Sequence, residues 1–364
     1  MKSSELHSFF LQLVRLGIGH GTGCKLLTPI DWAALENLAA RQGLSAVVVD
    51  GVGRLPEDKR PPKPVLLQWI GETLQGYEYR YEQYRKAIAG LASFYNKHGY
   101  RMMVLKGYAC SLDWPRPEHR PCGDIDIWLF GRQAEADAAL SSKFKDQGSK
   151  FKVDRSHHHH TVFDWGGFTV ENHYDFINVH HHRSNIEFEH ILKELASDDS
   201  HYIDVRGERV YLPSPNLHAL FLLKHSMMHF AAEGISLRQL LDWAFFVKAH
   251  NDEVDWNWLE GVLEQFGMRK LYDIFNAICV VDLGFETSLF HTVQFDPVLK
   301  DKVLNEILMP EFGENLPNSL IPRLLFKYRR WKGNAWKHEL CYKDSLTSAF
   351  CSGLVNHMMK PSSI

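Results

Sequence analysis

The stretch Gly123-Asp124-Ile125-Asp126-Ile127-Trp128-Leu129-Phe130 decides how this chain is read. A strand repeats every two residues, so Asp124 and Asp126 go to one face and Ile125 and Ile127 to the other. The isoleucines anchor the strand and the carboxylates converge. Two like charges at that spacing repel unless a cation lies between them. A hard oxygen pair suits Mg2+, which keeps several waters and also binds substrate phosphates. A bare Asp-x-Asp fits equally an edge strand whose aspartates face water, so its neighbours must separate the two readings. Three of them favour a site: Gly123 directly before the pair, a Lys106-Gly107 turn upstream, and Glu171 on a later strand.

Outward from this stretch, residues 101–105 form a short β-prone run and residues 132–147 a polar, alanine-rich helix. Segments 151–154, 159–165 and 168–176 read as strands, and Gly166-Gly167 between the last two is a two-residue hairpin signal. Thr169, Glu171 and His173 share one face of their strand, so a sheet that sets it beside 124–130 completes the site. Helical spacing governs residues 4–52 and 66–98, with a proline-rich, charged loop at 55–64 between them and Gly99 as a stop. It returns at 217–229, 237–250, 256–266 and 270–283. The fold class expected is α/β of the α+β kind, a short mixed sheet flanked by helical sequence. The expected organisation is an N-terminal helical segment over 1–95, the α/β core over 96–200 and a C-terminal helical domain over 201–364.

Forty-one basic and 44 acidic residues leave a net charge of −3, so the chain as a whole carries no electrostatic footprint for nucleic acid. The six cysteines, Cys24, Cys110, Cys122, Cys279, Cys341 and Cys351, form no Cys-x-x-Cys pair, which argues against a zinc ribbon or a disulfide framework. No secretory leader is expected at the N-terminus. The most apolar stretch, 217–247, is broken by Lys224, His225, His229, Glu233, Arg238 and Asp242, so no membrane span is expected. These features predict a soluble, cytoplasmic protein.

Three segments together resemble a known family: Val104-Leu105-Lys106-Gly107, Arg120-Pro121-Cys122-Gly123-Asp124-Ile125-Asp126-Ile127, and Glu171-Asn172-His173-Tyr174. They look like the uncharacterised bacterial nucleotidyltransferases of the DNA-polymerase-β-like superfamily. The likeness extends to Leu212-Pro213-Ser214-Pro215 with His225 and His229, and to Leu237-Arg238-Gln239-Leu240-Leu241-Asp242-Trp243. It implies a divalent metal pair, Mg2+ or Mn2+, and transfer of a nucleoside monophosphate from an NTP to an acceptor hydroxyl with release of pyrophosphate. RNA, protein and small molecules remain open as acceptors. The resemblance assigns Asp124 and Asp126 to the family's paired aspartates and Glu171 to its third carboxylate, all three as metal ligands and catalytic groups. It departs at the turn, where most members carry Gly-Ser or Gly-Gly instead of Lys106-Gly107.

The residues themselves agree with that assignment. Two ions about 3.5–4 Å apart clamp the attacking and leaving oxygens of an in-line displacement, which needs two or three convergent carboxylates. Glu171 is then placed to orient or deprotonate the attacking hydroxyl. Lys106 and Gly107 lie between a strand and a helix expected near Tyr108, where amides and a cation can hold triphosphate oxygens. Arg120, Gly123 and His173 complete the nucleotide-binding set.

Twenty-one histidines raise a rival reading, a histidine-rich metal-binding protein using the runs His157 to His160 and His180 to His182. Consecutive strand residues point to opposite faces, so at most two of each run converge, and adventitious nickel binding at the sheet rim is the plainer expectation. A second rival is a non-catalytic or regulatory member of the same fold, as in toxin–antitoxin or defence systems. His225 with His229, and Arg238 with Asp242, stand four apart on helices. The first pair reads as a structural contact, with a ligand pair as the alternative, and the second as an intrahelical ion pair. The basic, aromatic run 327–332 reads as a solvated helix face, with contact to an RNA acceptor as the alternative.

Overall fold

The computed structural model describes residues 3–21, 30–146, 151–180, 182–312 and 319–349. Cys24, Gln147, His181 and Cys351 fall outside these residues. Six strands form one sheet: β1 (Met103–Val104), β2 (Ile125–Trp128), β3 (His160–Trp165), β4 (Phe168–His173), β5 (Tyr202–Val205) and β6 (Glu208–Tyr211). Their order is β3-β4-β2-β1-β6-β5. β2 runs parallel to β4 and β1 parallel to β6, while the other pairs are antiparallel. The fold is therefore α/β with a short mixed sheet.

Gly166 and Gly167 turn β3 into β4 with φ of 60° and 82°, the doubly positive conformation that matches the twist of the flanking strands. The segment 151–154, expected as a strand, makes a single bridge between Asp154 and Val162 instead. The hairpin of β5 and β6 carries the sheet past residue 200, where the sequence pattern predicts no strand. Its turn uses Arg206 and Gly207, and only the second is a residue that takes positive φ at no steric cost.

Alternation along β2 puts Ile125 and Ile127, 1% and 0% exposed, into a core with Ile88, Leu91 and Tyr95 of the helix Arg80–Lys97. Burying each isoleucine contributes about 1.5–3 kcal/mol. The opposite face packs against a larger core in which Trp128 and Met103 meet Phe221 of the helix Pro215–Ala232 and residues as distant as Phe9 and Leu340. Helices from both ends of the chain thus share one apolar interior.

The expected helices form. Residues 4–52 hold Ser3–Gly17, Trp32–Arg41 and Ser45–Gly53, and Lys63–Lys97 is one helical run interrupted by a π segment, Leu74–Tyr79. The C-terminal helices Pro215–Ala232, Leu237–His250, Trp256–Gln265 and Arg269–Val281 follow the sequence periodicity closely. Tyr328, on Leu320–Gly333, is exposed. Among the described residues no helix is long and apolar enough to cross a membrane.

Candidate active site

The parallel pairing of β2 with β4 sets Asp126 directly beside Glu171 and Trp128 beside His173. Alternation on β4 then sends Thr169, Glu171 and His173 to the carboxylate face, while Val170 and Asn172 turn to the other side. Asn172 is 0% exposed there and donates from Nδ2 to Asp137 Oδ1 at 2.8 Å, which fixes β4 against the helix Gln133–Asp146.

The ligand atoms of Asp126, Glu171 and His173 lie within 4.8 Å of one another. His173 Nε2 stands 3.1 Å from Asp126 Oδ1 and 3.5 Å from Glu171 Oε2, and its Nδ1 stands 3.1 Å from the Asp175 carbonyl. Asp124 comes just before β2, exposed, and its own carbonyl accepts a 2.7 Å hydrogen bond from Tyr84 Oη. Asp124, Asp126, Glu171 and His173 line a cavity of about 440 Å³ between the sheet and the helices Pro215–Ala232 and Leu237–His250.

A family model described as uncharacterised nucleotidyltransferase matches residues 28–281, which hold every residue named in this cavity. The chain belongs to that nucleotidyltransferase family. Among curated proteins none matches. Among solved structures, the crystal structure of an antigenic nucleotidyltransferase-like protein from Paracoccidioides brasiliensis is similar at 15% identity, over 58% of this chain and 98% of that one. Its TM-score of 0.34 adds nothing to the family assignment.

In this family member Lys106 does not stand free in its turn. Its Nζ lies 2.7 Å from Asp126 Oδ1 and 3.0 Å from His225 Nε2, with the side chain 17% exposed. Burial would raise the Asp126 pKa, but the Lys106 charge and the His173 hydrogen bond outweigh it and hold the carboxyl well below the ordinary 3.8. Asp124, although exposed at its outer edge, goes the other way, raised by partial desolvation and then by the neighbouring Glu171 and Asp126. For His173 burial lowers the pKa, yet the hydrogen bonds to Asp126 and Glu171 prevail and raise it.

Gly107 has φ 51° and ψ −95°, and the helix after it, Tyr108–Ser111, is a single turn. The helix-terminus contribution expected at Tyr108 is correspondingly small, since a dipole needs several aligned peptides. Arg120 lines the cavity too, with its charge engaged. It is 5% exposed, with Nε 2.7 Å from Asp242 Oδ1 and Nη2 2.9 Å from Oδ2, so a buried two-pronged pair occupies its fork. Asp242 further accepts from Trp114 Nε1 at 2.9 Å. The intrahelical pairing of Arg238 with Asp242 is therefore replaced by a long-range one, and Arg238 lines the cavity. Gly123 is exposed at the cavity edge, beside Asp124.

Sequence reasoning set aside several residues that the fold brings here. His225 and His229, with Nε2 atoms 3.1 Å apart, face the cavity from Pro215–Ala232. His159 and His160 reach it from the first histidine run. A signal for His160 existed: a hairpin that pairs Trp165 with Phe168 must pair His160 with His173, five residues back on one strand and five on along the other. Burial is the main cause that pushes His159 down to about 2 and His160 to about 4, so both rings are uncharged near neutrality. His182 of the second run instead meets His338, Nε2 to Nε2 at 3.0 Å.

Proposed function

We propose that this protein transfers a nucleoside monophosphate from an NTP to an acceptor hydroxyl, with Asp124, Asp126 and Glu171 as the catalytic and metal-binding carboxylates. The observation that carries the reading is the register of β2 with β4, which pairs Asp126 with Glu171 in the cavity that Asp124 also lines. A hard divalent cation, Mg2+ or Mn2+, fits this donor set of carboxylate oxygens. The upward shift of Asp124, due to burial and then to its acidic neighbours, marks negative charge that a cation would relieve. When bound, such an ion supplies charge to the phosphoryl oxygens and lowers the barrier to in-line displacement.

The chain's own groups do the rest. Glu171 accepts the proton of the acceptor hydroxyl, whose oxygen forms a bond to the α-phosphorus as the bond to the pyrophosphate oxygen breaks. His173 holds Glu171 and Asp126 in position through Nε2. Lys106 and Arg238 offer cations to the triphosphate, and Arg238 brings a guanidinium fork suited to phosphate. Gly107 admits the backbone close to the substrate. Arg120 acts as a positioning residue, because its charge is engaged by Asp242.

The test is incubation with each α-labelled NTP and Mg2+ or Mn2+, against RNA, cell extract and the protein itself as acceptors. Asp124→Asn is the cleanest variant, since Asp124 is exposed and its substitution should leave the fold intact while abolishing transfer. Glu171→Gln should leave NTP binding nearly unchanged and slow transfer by about 10²–10⁴-fold, the usual worth of a general base. Full transfer by both variants would overturn the assignment.

A further inference from the structure

Beside the carboxylates the same cavity holds a second cluster of donor atoms. His159, His160 and His173 each offer one ring nitrogen, and these nitrogens lie within 4.8 Å of one another. We propose that His159, His160 and His173 form a binding site for a divalent transition-metal ion of the zinc class, distinct in chemistry from the hard-cation site next to it. The inference stands whether or not the carboxylates transfer a nucleotide.

The histidines are fixed by the fold and are not a loose run. The chain bends through 157–159 before β3 begins, so strict strand alternation does not yet apply, and both His159 and His160 reach the cavity. Tyr174 N and Asp175 N both donate to the His159 carbonyl at 3.0 Å, which ties this bend to the end of β4. His160 and His173 are cross-strand partners in the β3–β4 hairpin. The third ligand therefore comes from a neighbouring strand, a source that counting along the run cannot supply.

Two features of hydrogen bonding suit an ion. His160 is 6% exposed, and among the described residues His159 Nδ1 and His160 Nδ1 are buried without a hydrogen-bond partner. A buried imidazole nitrogen left in that state needs an explanation, and a ligand is one. His173 supplies the second. Its Nδ1 faces the Asp175 carbonyl and must donate there, the usual second contact of a metal-binding histidine. That leaves Nε2 facing Asp126 Oδ1 at 3.1 Å and Glu171 Oε2 at 3.5 Å. Nε2 shares a hydrogen with those carboxylates, and an ion bound at Nε2 would take the place of that hydrogen.

The ligand type selects the ion. Imidazole nitrogen suits zinc, copper, nickel and iron, whereas carboxylate and water suit magnesium, calcium and manganese. Three imidazoles are a familiar ligand number for zinc, at Zn–N distances of about 2.0–2.1 Å, and leave a position open for water or a carboxylate. Glu171, with Oε1 3.9 Å from His160 Nε2 and Oε2 3.5 Å from His173 Nε2, is a candidate for that position.

The experiment uses the full chain, purified without a polyhistidine tag or a nickel column and stripped with a chelator. Zn2+ is titrated calorimetrically, Co2+ is followed by its visible spectrum, and Mg2+ serves as the comparison. One Zn2+ per chain should bind, and Co2+ should give the spectrum of a nitrogen-ligated ion. His159→Ala and His160→Gln should each weaken Zn2+ by more than the roughly 10–100-fold that an outer-shell change costs. His157→Ala, exposed in the same run, should leave it unchanged. Melting curves of the stripped variants show whether each remains folded, and His160→Gln keeps most of the volume should His159→Ala fail to fold. An adventitious ion only, seen as weak binding that His157→Ala lowers as much as His160→Gln, would overturn the proposal. So would tight Zn2+ binding that survives both His159→Ala and His160→Gln. Asp124→Asn separates the two readings: zinc retained with transfer lost supports both sites, while zinc bound by a protein that shows no transfer at all removes only the nucleotidyl reading.

Discussion

Gly107 occupies a backbone conformation, φ 51° and ψ −95°, that side-chain-bearing residues rarely adopt. A Cβ there would sit 2.6 Å from Tyr84 Oη and 3.3 Å from the Asp124 carbonyl. The clash would fall on the hydrogen bond by which Tyr84 holds the residue before β2, so the turn and the carboxylates are coupled. Gly107→Ala should destabilise the protein by about 1–3 kcal/mol through backbone strain and should disturb the site as well. Tyr84→Phe, which loses only the hydrogen bond, should cost about 1 kcal/mol. Denaturant unfolding of the two variants checks the order, and an alanine variant no less stable than the phenylalanine variant would contradict it.

Elements converge on the loop before β2. His119, 2% exposed and at the end of the turn Pro117–His119, stands 2.6 Å from Asp50 Oδ2 of Ser45–Gly53 and 3.2 Å from Glu78 Oε1 of the π segment Leu74–Tyr79. A π segment adds a residue to one turn of a long helix and so shifts the side chains around it to new directions. Here it carries the carboxylate that meets His119. Burial alone would lower the His119 pKa, but Asp50 first and then Glu78 outweigh it and raise it above 6.5. The fold binds the protonated ring, so this contribution is complete below the ordinary 6.5 and is lost as pH rises through the higher folded value. The stability gap between the wild type and His119→Gln should therefore shrink as pH is raised above 6.5. His250, also raised, by Asp113 first, is common to both proteins and cancels from the difference. Thermal melts across that range would refute the assignment if the gap widened.

Across the whole molecule, the α/β sheet and the C-terminal helices are joined through Arg120 and Asp242, 122 residues apart and each 5% exposed. Such a pair need not stabilise the fold relative to apolar residues, yet breaking it leaves one charge buried and alone. Arg120→Met should cost about 3–5 kcal/mol for that reason. Adding Asp242→Asn should recover most of the loss, because the amide is uncharged and still accepts from Trp114. Unfolding of the single and double variants measures the recovery. A double variant as unstable as the sum of its singles would show that the two residues act independently.

How much of this was legible beforehand depends on how local the cause is. Periodicity is local, and it was enough for the carboxylate and isoleucine faces of β2, the Gly166-Gly167 hairpin and the helix Leu237–His250, whose bounds coincide with the expected ones. The β-prone run 101–105 likewise holds the two-residue β1, whereas the hairpin of β5 with β6 lacks that signal, since strands so short hold their shape by pairing and not by pattern. The site divides in the same way. The types and spacing of Asp124, Asp126 and Glu171 could be read along the chain. The register that brings Asp126 beside Glu171, the choice of Arg120 over Arg238 as partner of Asp242, and the gathering of His159 and His160 around His173 could not. Those contacts join residues distant in sequence, and only the packing of the sheet between its two helical layers settles which of many possible partners meet.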